Sequence, residues 1–196
     1  MITKKTMNII NTAIEDVKII EPDVFGDNRG YFFESWSEKK YKALGIDCNW
    51  IQDNESRSRF GVLRGLHFQA VPYTQAKLVR VIEGAVLDVA VDIRKGSPTF
   101  AQHVAVELTG ENKRQLFVPR GFAHGFVVLS KSVLFAYKCD NLYMPSHERG
   151  IAFDDPALQI NWQVNLHEYI LSPKDKCNPL LADAEVFDYN TKEYMQ

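Results

Sequence analysis

No apolar run in this chain approaches the ~18 residues of a membrane-spanning helix, and residues 1–16 are too polar for the apolar centre of a secretory signal. Cysteine is scarce. Cys48, Cys139 and Cys177 are widely spaced and form no CxxC pair. An odd, scattered set of this kind gives no disulfide framework and reads as free thiols in a reducing compartment. Charge of one sign is never concentrated. The formal net charge is -2 with 24% charged residues, so the electrostatic footprint of a nucleic-acid binder is missing. There is no linker rich in Gly, Ser or Pro, no internal repeat and no low-complexity tract. The expectation is a cytoplasmic globular protein without a membrane or nucleic-acid partner.

What is present suits a single domain. The chain has 196 residues, 45% of them apolar, enough for a core without disulfide staples. Residues 1–196 read as one unit, with 1–20 as an N-terminal extension or strand and 172–196 as a C-terminal helical segment. Short runs rich in Val, Ile, Phe and Tyr recur between Gly, Pro and Asn signals, the pattern of an all-β barrel or sandwich. Strands are expected at 17–20, 30–35, 61–69, 77–82, 85–93, 101–108, 114–118, 123–129 and 133–139, with Glu83-Gly84 as a tight hairpin turn between two of them. Helices are few. One is expected over 37–44, capped by Ser37 and stopped by Gly45. Another is expected to open at Ser172, with Pro173 at its first position and Asp175 completing a capping box.

Side chains alternate across a strand. His67 therefore shares a face with Leu63 and Gly65, Lys77 with Val79 and Val81, His124 with Phe126 and Val128, and Tyr137 with Val133, Phe135 and Cys139. Each face is apolar apart from one polar group. Such a group is costly to bury unless it is paired, and four on neighbouring strands suggest convergence on one cavity. Strict alternation puts Arg64 on the opposite face from His67. Either Gly65 marks a bulge, or Arg64 reaches another part of the site, or it serves a neighbouring subunit; the sequence does not choose.

Two stretches resemble the paired motifs of the cupin superfamily. Gly61-x5-His67 opens the first, and Pro119-x-Gly121-x2-His124 matches the second. Metal-binding cupins typically supply three histidines and a glutamate. Here Gln69 stands for the second histidine, and the glutamate position falls near Gln75 or Lys77. A lysine offers donors and no acceptor when charged, whereas zinc and iron sites want imidazole, thiolate or carboxylate. No metal and no organic cofactor is expected; acid–base chemistry by side chains is the natural replacement.

The resemblance then sharpens. Ile51-Gln-Asp-Asn54, Gly61-Val-Leu-Arg-Gly-Leu-His67, Gln75-Ala-Lys-Leu-Val-Arg-Val81 and Asp88-Val-Ala-Val-Asp-Ile-Arg94 occur in order. Ser97-Pro-Thr-Phe100, Pro119-Arg-Gly-Phe-Ala-His-Gly-Phe126 and Tyr137-Lys138 follow. Together they resemble the dTDP-4-dehydrorhamnose 3,5-epimerase family. That resemblance implies a homodimeric, cupin-type (jelly-roll) all-β barrel with a few short peripheral helices. It would epimerise dTDP-4-keto-6-deoxyglucose at C3 and C5 in dTDP-rhamnose formation. It puts the catalytic base at His67, its carboxylate partner at Asp175, the lysine near the keto oxygen at Lys77 and the acid at Tyr137. It puts nucleotide-sugar contacts at Arg29, Glu34, Gln52, Asn54, Arg64, His124, Glu148 and Lys174, with Tyr143 a nearby runner-up for the acid. The residues alone leave Asp175 equally readable as a helix cap and Tyr137 as a packing residue.

The residue types suit the reaction. The C3 and C5 hydrogens of a 4-keto sugar are both α to one carbonyl, so loss of either gives an enolate at O4. Histidine suits the base because it gains and loses a proton near neutral pH. A carboxylate on its other nitrogen fixes the tautomer. Lysine suits the developing oxyanion, a phenol can return the proton, and the guanidinium forks of Arg29 and Arg64 suit a pyrophosphate.

Overall fold

A computed structural model describes residues 7–195; the first six residues of the expected N-terminal extension, and residue 196, lie outside them. The strands are β1 (Asn8–Asn11), β2 (Lys18–Glu21), β3 (Val24–Asp27), β4 (Gly30–Phe33), β5 (Gln52–Arg59), β6 (Leu63–Gln69), β7 (Lys77–Glu83) and β8 (Ala85–Asp92). After them come β9 (Arg94–Lys95), β10 (His103–Thr109), β11 (Gln115–Val118), β12 (Phe122–Val128), β13 (Ser132–Cys139), β14 (Glu148–Gly150) and β15 (Phe187–Asp188). A six-stranded sheet runs β1-β2-β11-β7-β13-β5 and a five-stranded sheet runs β10-β8-β12-β6-β14. The two face each other as a jelly-roll barrel of the cupin type. None of the described helices is long and apolar enough to cross a membrane.

Alternation builds the layers. Val79, Val81, Leu116, Val133 and Phe135 of the larger sheet meet Val86, Ala90, Val106, Phe126 and Val128 of the smaller one in a buried core. The outer face of the smaller sheet (Leu66, Phe68, Val89, Val91) is covered by the chain beyond β14, through Ile151, Trp162, Leu181, Phe187 and Tyr194. Both faces of β8 are therefore buried, and it reads as a nearly continuous apolar run. Tyr41 of the one α-helix among the described residues, α1 (Glu38–Ala43), packs with Ile20, Leu78 and Phe117 on the outer face of the larger sheet. Gly45, at φ +78°, ends that helix as expected.

Three expectations change. The turn at Glu83-Gly84 is not a hairpin, because β7 and β8 lie in different sheets. At φ +85° Gly84 takes the chain from one sheet to the other, under the Ser132 carbonyl, where a Cβ would sit 2.1 Å from that oxygen. The helix expected from Ser172 is a single 3-10 turn, Asp175–Cys177, and the chain beyond it adds only the 3-10 turns Leu181–Asp183 and Glu193–Met195 and the short β15. Asn178 and Pro179 follow at once, and Asn178 is already extended (ψ 140°), as a residue before proline prefers. Finally, β5 forms from Gln52-Asp-Asn-Glu-Ser-Arg-Ser-Arg59, a stretch with no apolar residue.

Candidate active site

Where the inward side chains turn polar, the space between the sheets opens into a cavity of about 610 Å³, a size suited to a small-molecule ligand. Its lining draws on both sheets. β6 and β12 of the smaller sheet supply Arg64, His67 and His124; β7, β13 and β5 of the larger sheet supply Lys77, Tyr137, Gln52, Asn54 and Ser56. Tyr143, Glu148, Ser172, Lys174 and Asp175 line it as well.

A bulge settles the position of Arg64. Along the β6–β12 ladder His67 pairs with His124, but Arg64 pairs with Phe126. Gly65 and Leu66 together thus oppose the single Gly125, which returns Arg64 to the cavity side. The crossing is glycine on glycine. A Cβ on Gly65 would stand 2.6 Å from Gly125 Cα, and Gly65 itself sits at φ +143°. Among the described residues the Arg64 guanidinium hydrogen-bonds only at long range, to Ser58 Oγ at 3.4 and 3.3 Å, which leaves it suited to an anion.

His67 Nε2 lies 2.6 Å from Asp175 Oδ1. The Ser172 hydroxyl donates to Asp175 Oδ2 (2.7 Å), and the Asp175 N–H donates back to Ser172 Oγ (3.2 Å). Cap and histidine partner are therefore one arrangement. Burial pushes the Asp175 carboxyl up, but hydrogen bonds from His67 and Ser172 outweigh it and hold the group below its ordinary value. With Asp175 ionised, Nε2 carries the hydrogen and Nδ1 keeps a lone pair.

The opposite wall differs. Burial pulls the Lys77 ammonium below its ordinary value, against the carboxylates of Asp88 and Glu148. Burial raises the Tyr137 phenol, opposed by Arg64 and aided by Glu148, so it stays protonated. Burial likewise raises the Cys139 thiol to about 11, with Lys77 opposing; it is a neutral neighbour of the lysine. At the mouth, Glu148 receives the Tyr143 hydroxyl at 3.1 Å and the Lys174 ammonium at 2.6 Å. Gln52 holds Asn54 (2.9 Å) and the Tyr143 N–H (3.1 Å). These contacts position a polar rim.

Sequence profiles of the dTDP-4-dehydrorhamnose 3,5-epimerase family match residues 11–183. The dTDP-4-dehydrorhamnose 3,5-epimerase of Shigella flexneri is 52% identical over 182 residues, 92% of this chain and 99% of its own length. This chain belongs to the dTDP-4-dehydrorhamnose 3,5-epimerase family. Among solved structures, the dTDP-6-deoxy-D-glucose-3,5-epimerase of Legionella pneumophila in complex with dTDP-4-keto-L-rhamnose superposes with a TM-score of 0.90 at 53% identity, covering 93% of this chain and 98% of that one. ChmJ, a 3'-monoepimerase from Streptomyces bikiniensis in complex with dTDP-quinovose, gives a TM-score of 0.87 at 32% identity, covering 95% of this chain and 98% of its own.

Against the site expected from the family resemblance, the cavity gathers His67, Lys77, Tyr137, Asp175, Gln52, Asn54, Arg64, His124, Tyr143, Glu148 and Lys174. Arg29 and Glu34 are not among its lining. Arg29 chelates Asp27 at the tip of the β3–β4 hairpin, and Glu34 pairs with Lys40. The cupin metal position lacks a donor set here. Gln69 donates its amide to the Tyr73 and Leu142 carbonyls, Lys77 faces the same space, and among the described residues no three His, Cys, Asp or Glu side chains gather to hold an ion. Two groups were missed from sequence. Ser56 Oγ is buried with no hydrogen-bond partner among the described residues, its inward position hidden by the polarity of β5. Asp88 lies within a quoted motif, but nothing in β8 marks it as more than one charge in an apolar strand.

Proposed function

We propose that this chain is a cofactor-independent epimerase that inverts C3 and C5 of dTDP-4-keto-6-deoxyglucose to give dTDP-4-keto-L-rhamnose. The observation that carries the reading is the division of labour between the walls. The His67–Asp175 pair lies on the side of one sheet, and Lys77 and Tyr137 stand on the other. A hexose between them meets a base on one face and a proton donor on the other. His67 Nδ1 takes the α-hydrogen, the Lys77 ammonium stabilises the enolate oxygen, and the Tyr137 hydroxyl delivers a proton to the opposite face of the same carbon. Arg64 and Lys174 suit the pyrophosphate. Gln52, Asn54, His124, Tyr143 and Glu148 hold the rest of the nucleotide sugar.

The reading takes all of 1–196 as one domain acting in a homodimer. The β3–β4 hairpin pairs only with itself and exposes Phe25 (60%) and Phe32 (70%), an apolar surface that a second copy would cover. Arg29 rides on that hairpin, so its expected contact with substrate is made at a neighbour's cavity. Sedimentation of the chain and of Phe32→Glu tests this, with a monomeric wild type counting against the dimer.

Incubation in deuterated water decides the reaction. Deuterium at both C3 and C5 of the product is expected. Label at C3 alone would favour a mono-epimerase, the activity named for ChmJ, and no label would remove both readings.

A further inference from the structure

A second histidine–carboxylate pair stands on the same wall as the first. His124 Nε2 is 2.8 Å from Asp88 Oδ1. Asp88 has no exposed surface at all, and its β8 neighbours on the inward face, Val86 and Ala90, belong to the apolar core. A carboxylate in such a place is expensive unless paired and hydrogen-bonded. Yet Asp88 Oδ2 has no hydrogen-bond partner among the described residues, unlike Asp175, which holds a partner on each oxygen. The one hydrogen bond its side chain makes among them goes to His124, so the carboxylate is explained by what it does to that ring.

We infer that Asp88 is a positioning residue of the epimerisation site: by accepting the His124 Nε2–H it fixes that ring's orientation and tautomer, so that Nδ1 is turned to the sugar. His124 Nδ1 makes no hydrogen bond to any described residue, and the ring lines the cavity beside its ladder partner His67. Of the other titratable groups lining the cavity, Lys77, Tyr137 and Cys139 stand on the opposite sheet, and Arg64, Tyr143, Glu148, Lys174 and Asp175 line it as well. None of them hydrogen-bonds to His124 among the described residues, so Asp88 alone sets its tautomer. This inference rests on the epimerase reading above.

The test uses Asp88→Asn, Asp88→Val, His124→Gln and the Asp88→Asn/His124→Gln double variant of the full chain. Loss of a residue that orients a site ligand typically lowers activity about 10- to 100-fold, and that fall in kcat/KM is expected for both Asp88 variants. The double variant should be no worse than His124→Gln alone, because a residue acting through another has nothing further to lose. In nitrogen-15 spectra, His124 should show the Nε2–H tautomer in the wild type and lose it in Asp88→Asn. Multiplying losses in the double variant, wild-type kcat/KM in Asp88→Asn, or an unchanged His124 tautomer would overturn the inference. So would unfolding of both Asp88 variants while His124→Gln stays folded. A wild type that exchanges no deuterium at C3 or C5 fails the epimerase reading instead, and leaves the spectra and melting curves to report on the pair.

Discussion

Arg64 and His67 lie three positions apart on one strand and still face the same cavity, because Gly65 and Leu66 share a single partner, Gly125, across the ladder. A regular strand would turn one of them away. The bulge is possible only where two backbones touch without side chains between them: a Cβ on Gly65 meets Gly125 Cα at 2.6 Å, and one on Gly125 meets the Arg64 carbonyl at 2.8 Å.

Gly65→Ala should therefore remove the arginine from the site as well as strain the strand. The strained φ alone carries about 1–3 kcal/mol, and the clash with backbone adds to it. A lower melting temperature is expected, with a raised KM for the nucleotide sugar in whatever folds. Calorimetry and steady-state kinetics check both; a variant with wild-type KM would mean that Arg64 does not meet the substrate.

Under the proposed mechanism Lys77 should set the alkaline limit of activity. Its ammonium loses its proton below the ordinary lysine value because it is buried, whereas Tyr137 is pushed the other way. Oxyanion stabilisation needs the charged form, so activity is full below the lysine's folded value and falls as pH rises through it. Lys77→Arg should move that fall to higher pH, since guanidinium does not deprotonate in this range. Lys77→Met should lower kcat by about 100- to 1,000-fold at every pH. An alkaline limb that survives unchanged in Lys77→Arg would assign it elsewhere.

Strand alternation alone put His67, Lys77, His124 and Tyr137 each on a face with apolar residues, and the cavity lining contains all four. The barrel was legible because short runs rich in Val, Ile, Phe and Tyr recur between Gly, Pro and Asn signals. The failures have physical causes. β5 alternates between polar residues turned inward and charged residues turned outward, so a search for apolar periodicity passes over it, although a strand with a polar inner face is what a nucleotide-sugar cavity requires. Gly84 reads as a hairpin turn because a positive φ serves a hairpin and a change of sheet equally. The bulge at Gly65 is a property of two strands at once, and Asp88 gains its meaning only from His124, 36 positions away.

The Asp92–Arg94 pair anchors the outer layer. Arg94 Nε and Nη2 reach the two Asp92 oxygens at 2.8 and 2.7 Å, and the hydroxyls of Ser97 and Thr99 add 2.7 and 2.6 Å contacts. The guanidinium also lies over the rings of Phe122, Tyr189 and Tyr194, which ties the C-terminal chain to the barrel. Burial raises the Asp92 carboxyl, but these donors outweigh it and leave it below its ordinary value. Its contribution to stability is thus complete above the ordinary carboxylate value, and it disappears as pH falls through the native one. Asp92→Asn leaves Arg94 with the half-exposed Asp16 carboxylate, 2.8 Å from its Nη2, and should destabilise the fold by about 1–3 kcal/mol. Denaturant titrations at neutral and acid pH check this: the gap between variant and wild type should narrow on acidification.

Tyr137 offers the sharpest separation of base from acid. Epimerisation is two proton transfers on opposite faces of one carbon, and the proposed mechanism gives them to side chains on different walls of the cavity. Tyr137→Phe removes the donor and leaves the His67–Asp175 pair intact. The enolate then forms as before, but its proton returns only from the histidine side. In deuterated water the variant should wash label into unreacted substrate while forming product about 100- to 10,000-fold more slowly. His67→Ala should stop both exchange and inversion. Mass spectra of recovered substrate and product distinguish these outcomes. If Tyr137→Phe neither exchanges nor inverts, the phenol takes part in proton removal, and the division of roles between the two sheets is wrong.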